Sequence, residues 1–134
     1  MKVTDRNVNH CPVEVTLAVI GGKWKPLILW HLGEGGVRRF LELQRMIPGI
    51  TRKMLTQHLR ELERDGVVAR KMFHEVPLRV EYSLTKYGHT LRPLLRALCH
   101  WGSRHEQYVA KNGQPAVSRV VEVAPPKRMA IAIG

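Results

Sequence analysis

Acidic residues are scarce in this chain: 11 Asp and Glu stand against 22 Lys and Arg, leaving a net charge of +11. That imbalance points toward a polyanionic partner, although ribosomal and membrane-surface proteins share it. Cysteine is nearly absent as well. The two present, Cys11 and Cys99, form no CxxC pair, and the seven histidines are scattered without zinc-ligand spacing. His100 and His105 are five residues apart, off the i, i+4 step that would set both on one helix face. No metal, no cofactor and no structural disulfide are therefore expected. No apolar run approaches the ~18 residues of a membrane span. The opening MKVTDRNVNHCPVE lacks the apolar core of a signal peptide, so a cytoplasmic protein with no membrane contact is expected. There is no phosphate loop, dinucleotide fingerprint or paired-carboxylate arrangement. A catalytic pair of Cys11 and His10 would need a well-placed base and an oxyanion hole, which sequence neighbours rarely supply. The chain does not read as an enzyme.

What is present is organised around TRKMLTQHLRELERDG, Thr51 to Gly66. Thr51 is a hydroxyl N-cap, and Asp65-Gly66 supplies the glycine that stops a helix. Leu55, Leu59 and Leu62 recur at i, i+4, i+7 and define a buried stripe. Lys53, Thr56, Gln57, Arg60 and Arg64 form a second stripe of donors, acceptors and positive charge without a carboxylate. Those side chains read base edges and bind phosphates. A solvated helix face carries the same residue types, so the neighbouring segments decide between the two.

With 134 residues and 44% hydrophobic content, the chain suits one domain with a sizeable core. Cys11-Pro12 opens a short apolar helix, Val13–Ile20, with Pro12 at the first helical position, and Gly21-Gly22 ends it. Lys23–Leu32 is a second helix with Pro26 harmless in its first turn. Arg38-Arg39-Phe40 leads into a third helix through Met46, with Phe40, Leu43 and Ile47 facing inward. Pro48-Gly49 turns into the helix at Thr51, a helix-turn-helix arrangement. After Gly66 the period drops to two: 67–73 and 78–84 read as strands joined by a turn, a hairpin wing. Lys71 and Arg79 near its tip are placed to touch a phosphate or the minor groove. Thr85 caps a last helix, from Lys86 to about Tyr108, which Pro93 should bend. Its stripe of Leu91, Leu94, Leu95, Leu98 and Trp101, with Val13 and Leu17 of the first helix, is the expected dimer interface. Cys99 reads as a small core residue, and Trp24, Trp30 and Trp101 as core or dimer packing, with a small-molecule pocket as the lesser alternative.

Three segments then match a known pattern in order: CPVEVTLAVIGGKWKPLILWHL, RRFLELQRMIPGITRKMLTQHLRELERDGVVAR and EVPLRVEYSLTKYGHTLRPLLRALCHWG. Across them the chain resembles the HxlR-type family of bacterial winged helix-turn-helix regulators. The expected fold is mainly α with a small β-hairpin, a winged helix-turn-helix with N- and C-terminal dimerisation helices. Residues 1–10 are expected to be a flexible N-terminus, 11–108 the DNA-binding and dimerisation domain, and 109–134 a mobile Pro/Val/Ala-rich tail. The resemblance implies a homodimeric repressor or activator that sets two recognition helices in successive major grooves of double-stranded DNA. Thr51, Arg52 and Lys53 sit where the helix dipole favours a phosphate. Thr56, Gln57 and Arg60 are the expected base readers, Gln57 suiting adenine and Arg60 guanine. Arg38, Arg39 and Arg64 are expected to hold the backbone. In some family members a cysteine at the place of Cys11 senses oxidants or electrophiles, and a helix N-terminus favours a thiolate. Cys11 is thus the candidate sensor for an oxidant or small-molecule effector; its alternative is plain packing at the dimer contact. The rival to an operator-specific regulator is a nucleoid-type protein that binds nucleic acid without sequence preference.

Overall fold

The structure, a computed structural model, describes residues 11–113. The expected flexible segment 1–10 and the tail from 114 onward lie outside the described residues. Helix α1 (Pro12–Ile20) starts on Cys11 with proline at its first position, and α2 (Trp24–Gly35) follows after a glycine pair. A two-residue strand β1 (Arg38–Arg39) precedes α3 (Phe40–Met46), and α4 (Arg52–Arg64) is the helix built on Thr51. Strands β2 (Val68–Phe73) and β3 (Arg79–Leu84) form the wing. A short 3-10 turn (Gly88–Leu91) leads into α5 (Arg92–Asn112).

Helix α4 begins and ends for local reasons. The Thr51 hydroxyl accepts from the Met54 N–H at 3.0 Å, satisfying one of the free amides of the first turn. At the other end Gly66 takes φ +82°, which a residue with a Cβ rarely adopts. That allows the Gly66 N–H to reach Glu63 O at 3.0 Å and the Val67 N–H to reach Leu62 O at 3.1 Å. Between these caps Leu55, Leu59 and Leu62 are 0%, 1% and 0% exposed. They share a core with Ile28, Leu29 and Leu32 of α2, Leu43 of α3 and Val68 of β2, all equally buried. Each such side chain contributes about 1.5–3 kcal/mol over leaving it in water.

The sheet has one strand more than the hairpin expected from the sequence. Its order is β1-β3-β2, fully antiparallel, with Arg38 opposite Tyr82 and Arg39 opposite Glu81. A two-residue strand carries no periodicity of its own, so Arg38-Arg39 reads only as the approach to α3.

The last helix departs from expectation. It starts at Arg92, not Lys86, and continues to Asn112, past the boundary drawn at 108. Pro93 is its second residue, where a missing N–H costs nothing, so the expected bend has no cause. Thr85 serves another junction. Its hydroxyl donates to Gly66 O at 2.7 Å and accepts from the Gly88 N–H at 2.8 Å, tying the end of α4 to the exit from the wing. Gly88 is required there because a Cβ would run into the carbonyl oxygen of Val67. Cys99, expected in the core, is half-buried. Among the described residues no helix is long and apolar enough to cross a membrane.

Candidate nucleic-acid interface

The apolar stripe of α4 turned into the core leaves the opposite stripe to solvent, and Lys53, Gln57, Arg60 and Arg64 are all exposed. Thr56, at the edge of that stripe, is half-buried. The stripe is free of carboxylates, yet two flank it. Glu61 accepts from the Gln57 amide at 3.3 Å and pairs with the Lys25 ammonium of α2 at 2.7 Å. Hydrogen bonding from Lys25 is the main reason the Glu61 carboxyl stays charged below the usual carboxylate range; the Gln57 bond and the nearby charges add to it. Lys25 was not a candidate from sequence, because its partner lies 36 residues away and only packing brings the two together. Glu63 lies on the other flank, toward the wing.

The remaining candidates divide by their surroundings. Arg52, at the start of α4, lies over the Phe40 ring at 5.5 Å. Arg39 is exposed, and its backbone N–H donates to Glu42 at 2.7 Å. Arg38 is half-buried with its guanidinium folded over Gly35. Burial first, and the charge of Arg38 second, hold His31 below the ordinary histidine range, so that imidazole is neutral at neutral pH. Arg64 is 61% exposed and pairs with Asp65, its Nε 3.5 Å from the carboxylate.

Arg79 is not a free wing-tip cation. Its guanidinium pairs with Glu75 at 2.8 Å and Glu81 at 3.0 Å and stacks over Phe73 at 3.8 Å. Register explains the company it keeps. Lys71 is opposite Glu81 and Phe73 opposite Arg79, so these four share one face of the wing. Arg70, opposite Tyr82, is on the other face, together with Val80. Arg70 and Val80 line an open cleft of about 640 Å³ whose other walls include Arg52, Thr56 and Arg60 of α4. Arg70 was not among the candidates from sequence, although strand alternation separates it from Lys71.

Cys11 is exposed at the N-cap of α1, with no hydrogen bond from its side chain to the helix. Of the proposed interface residues, Val13 and Leu17 are 60% and 57% exposed, and Leu94, Leu98 and Trp101 are 36%, 49% and 65% exposed. Leu91 is half-buried and Leu95 is 4% exposed. On α5 the Trp101 ring stacks on His105 at 5.0 Å between centroids, and His105 on Tyr108 at 6.1 Å. No group of three or more His, Cys, Asp or Glu that could hold a metal occurs among the described residues.

Comparison with known proteins bears on the helix, turn, helix and wing together. The model of the HxlR-like helix-turn-helix family matches residues 19–110, which include α2 to β3 and most of α5. The chain belongs to this family. It is 50% identical over 101 residues to the uncharacterized HTH-type transcriptional regulator YdeP of Bacillus subtilis (strain 168), covering 75% of this chain and 78% of that one. Among solved structures it is similar to the redox regulator HypR in its oxidized form, with 52% identity and TM-score 0.67, covering 70% of this chain and 96% of that one. It is also similar to the reduced form of the transcriptional regulator YodB from B. subtilis, with 34% identity and TM-score 0.62, covering 71% and 93%. This HxlR-like chain is thus a DNA-binding winged helix-turn-helix protein of transcription regulation. Its relatives are regulators, not enzymes.

Proposed function

We infer that the protein is a homodimer that binds an inverted-repeat operator, each α4 entering a major groove. The observation that carries this is the exposed face of α4, where Lys53, Gln57, Arg60 and Arg64 present donors and charge from a helix fixed by three buried leucines. The exposed apolar side chains of α1 and α5 supply surface for a second subunit, and two-fold pairing sets recognition helices about one DNA turn apart, roughly 34 Å. Gln57 and Arg60 read bases, with Thr56 at the edge of the contact. Arg39, Arg52, Lys53 and Arg64 hold phosphates, and Arg38, half-buried, is a weaker member of that group. Lys71 lies on the far wing face with its ammonium over the Phe73 ring at 5.1 Å, whereas Arg79, paired with two carboxylates, leaves the set.

The test is a gel-shift titration on the DNA upstream of the protein's own gene, with excess competitor. Arg60→Ala should lose about 1–3 kcal/mol on the operator and much less on unrelated duplex. Equal weakening on every sequence would remove Arg60 as a base reader. Failure of the wild-type protein to prefer any sequence would favour the nucleoid-type alternative.

A thiol response through Cys11 is a second reading, supported by its exposure at the α1 N-cap and by the similarity to the redox regulator HypR and to the reduced form of YodB. Oxidation with diamide should change operator affinity in the wild type and leave Cys11→Ser unaffected. A serine variant with the same diamide response would take Cys11 out of the mechanism.

A further inference from the structure

We propose that the cleft between α4 and the wing seats the DNA backbone strand that runs between the major groove and the adjacent minor groove, and that Arg70 is its principal wing contact. This rests on the DNA-binding reading above and adds a residue and a site to it. Alternation along β2 turns Arg70 toward α4 and turns Lys71 away, because Arg70 is opposite the cleft-lining Tyr82 and Lys71 is opposite Glu81. Arg52 and Arg60 reach the same cleft from α4, and Thr56 adds a hydroxyl. Among the described residues none of these three guanidinium groups has a carboxylate partner, in contrast to Arg79 with two. Phe40 and Val80 make the remaining wall apolar. That mixture fits a sugar-phosphate strand: phosphate oxygens take charge-assisted bonds from Arg52 and Arg70, deoxyribose lies against the apolar surface, and Arg60 extends past the strand to the base edges. Glu63 also lines the cleft, so its charge opposes the phosphate and limits the affinity.

The full-length protein is titrated by fluorescence anisotropy against operator duplex and against a scrambled duplex, at several salt concentrations between about 50 and 200 mM. Arg70→Gln should make the slope of log affinity against log salt shallower by about 0.9 on both duplexes, leaving the ratio between them unchanged. Arg70→Lys should restore the slope, showing that charge and not folding was lost. Arg79→Gln should leave the slope as in wild type, and Glu63→Gln should tighten binding to both duplexes. An unchanged slope in Arg70→Gln, or a loss in Arg79→Gln as large as expected for Arg70, would overturn the proposal while operator preference stands. Absence of operator preference in the wild type would instead strike the DNA-reading assignment of α4, whatever Arg70 does to the slope.

Discussion

Leu59→Ala should destabilise the protein by about 3 kcal/mol, within the 2–5 kcal/mol usual for a buried leucine truncated to alanine. Leu59 is 1% exposed and stands in the middle of the stripe that holds α4 on the core, with Leu55 and Leu62 one turn to either side. The truncation removes apolar contact area and leaves a cavity that neighbouring side chains from α2 and β2 fill only in part. Against a typical total of about 5–15 kcal/mol, that is a large fraction. Arg60, the next residue, is exposed, and Arg60→Ala should change stability by no more than about 0.5 kcal/mol. Urea unfolding of the two variants checks the two-faced character of α4 directly. The leucine variant should lower the midpoint with an unchanged m-value, and the arginine variant should lose only DNA affinity. If Arg60→Ala proved the more destabilising of the pair, the orientation of the helix would be wrong.

Glu61→Ala should cost about 2 kcal/mol, for a different reason. Its carboxylate lies 2.7 Å from the Lys25 ammonium, and the two side chains are 28% and 10% exposed. Without Glu61, a charged group largely removed from water loses its partner, which costs about 3–5 kcal/mol in a fully buried pair and less where one member reaches solvent. Lys25→Met should be milder, because Glu61 can turn its exposed side to water. The sign of the pH effect follows from the lowered Glu61 value. A carboxyl that is more acidic folded than unfolded adds stability fully present above its unfolded value near 4.5, and that contribution is lost as pH falls through the folded value. His31 also weakens the fold in acid, since its depressed folded value makes protonation below about 6.5 favour the unfolded chain. The difference between wild type and Lys25→Met therefore isolates the pair. It should be largest above pH 4.5 and shrink below it. A difference that grew in acid would contradict the assignment. Glu61→Ala also frees the Gln57 amide from its 3.3 Å bond, so operator affinity of that variant reports whether the bond competes with base reading.

Much of this architecture was legible in the chain because the signals are local. The span of α4 is written in its hydroxyl cap, its leucine spacing and the glycine at its end, each acting within one or two helical turns. The wing follows from a change of period after that glycine. The last helix misled at its start because Thr85 looks like an N-cap, and only the packed structure shows its hydroxyl spanning from Gly66 to Gly88. Proline at position 93 looked like a bend for the same reason: its effect depends on where the helix begins.

By itself the sequence determined the helix-turn-helix-wing order and the two faces of the recognition helix, because backbone periodicity and capping are properties of neighbours along the chain. Only the tertiary structure decided which cations remain available. Arg79 is consumed by carboxylates brought to it by the β turn and the strand register, Lys25 is matched to a glutamate on another helix, and Arg70 is turned into the cleft with Arg52 and Arg60. Coulomb interactions act over a few ångströms of space whatever the separation in sequence, so the accounting of charge had to wait for the fold.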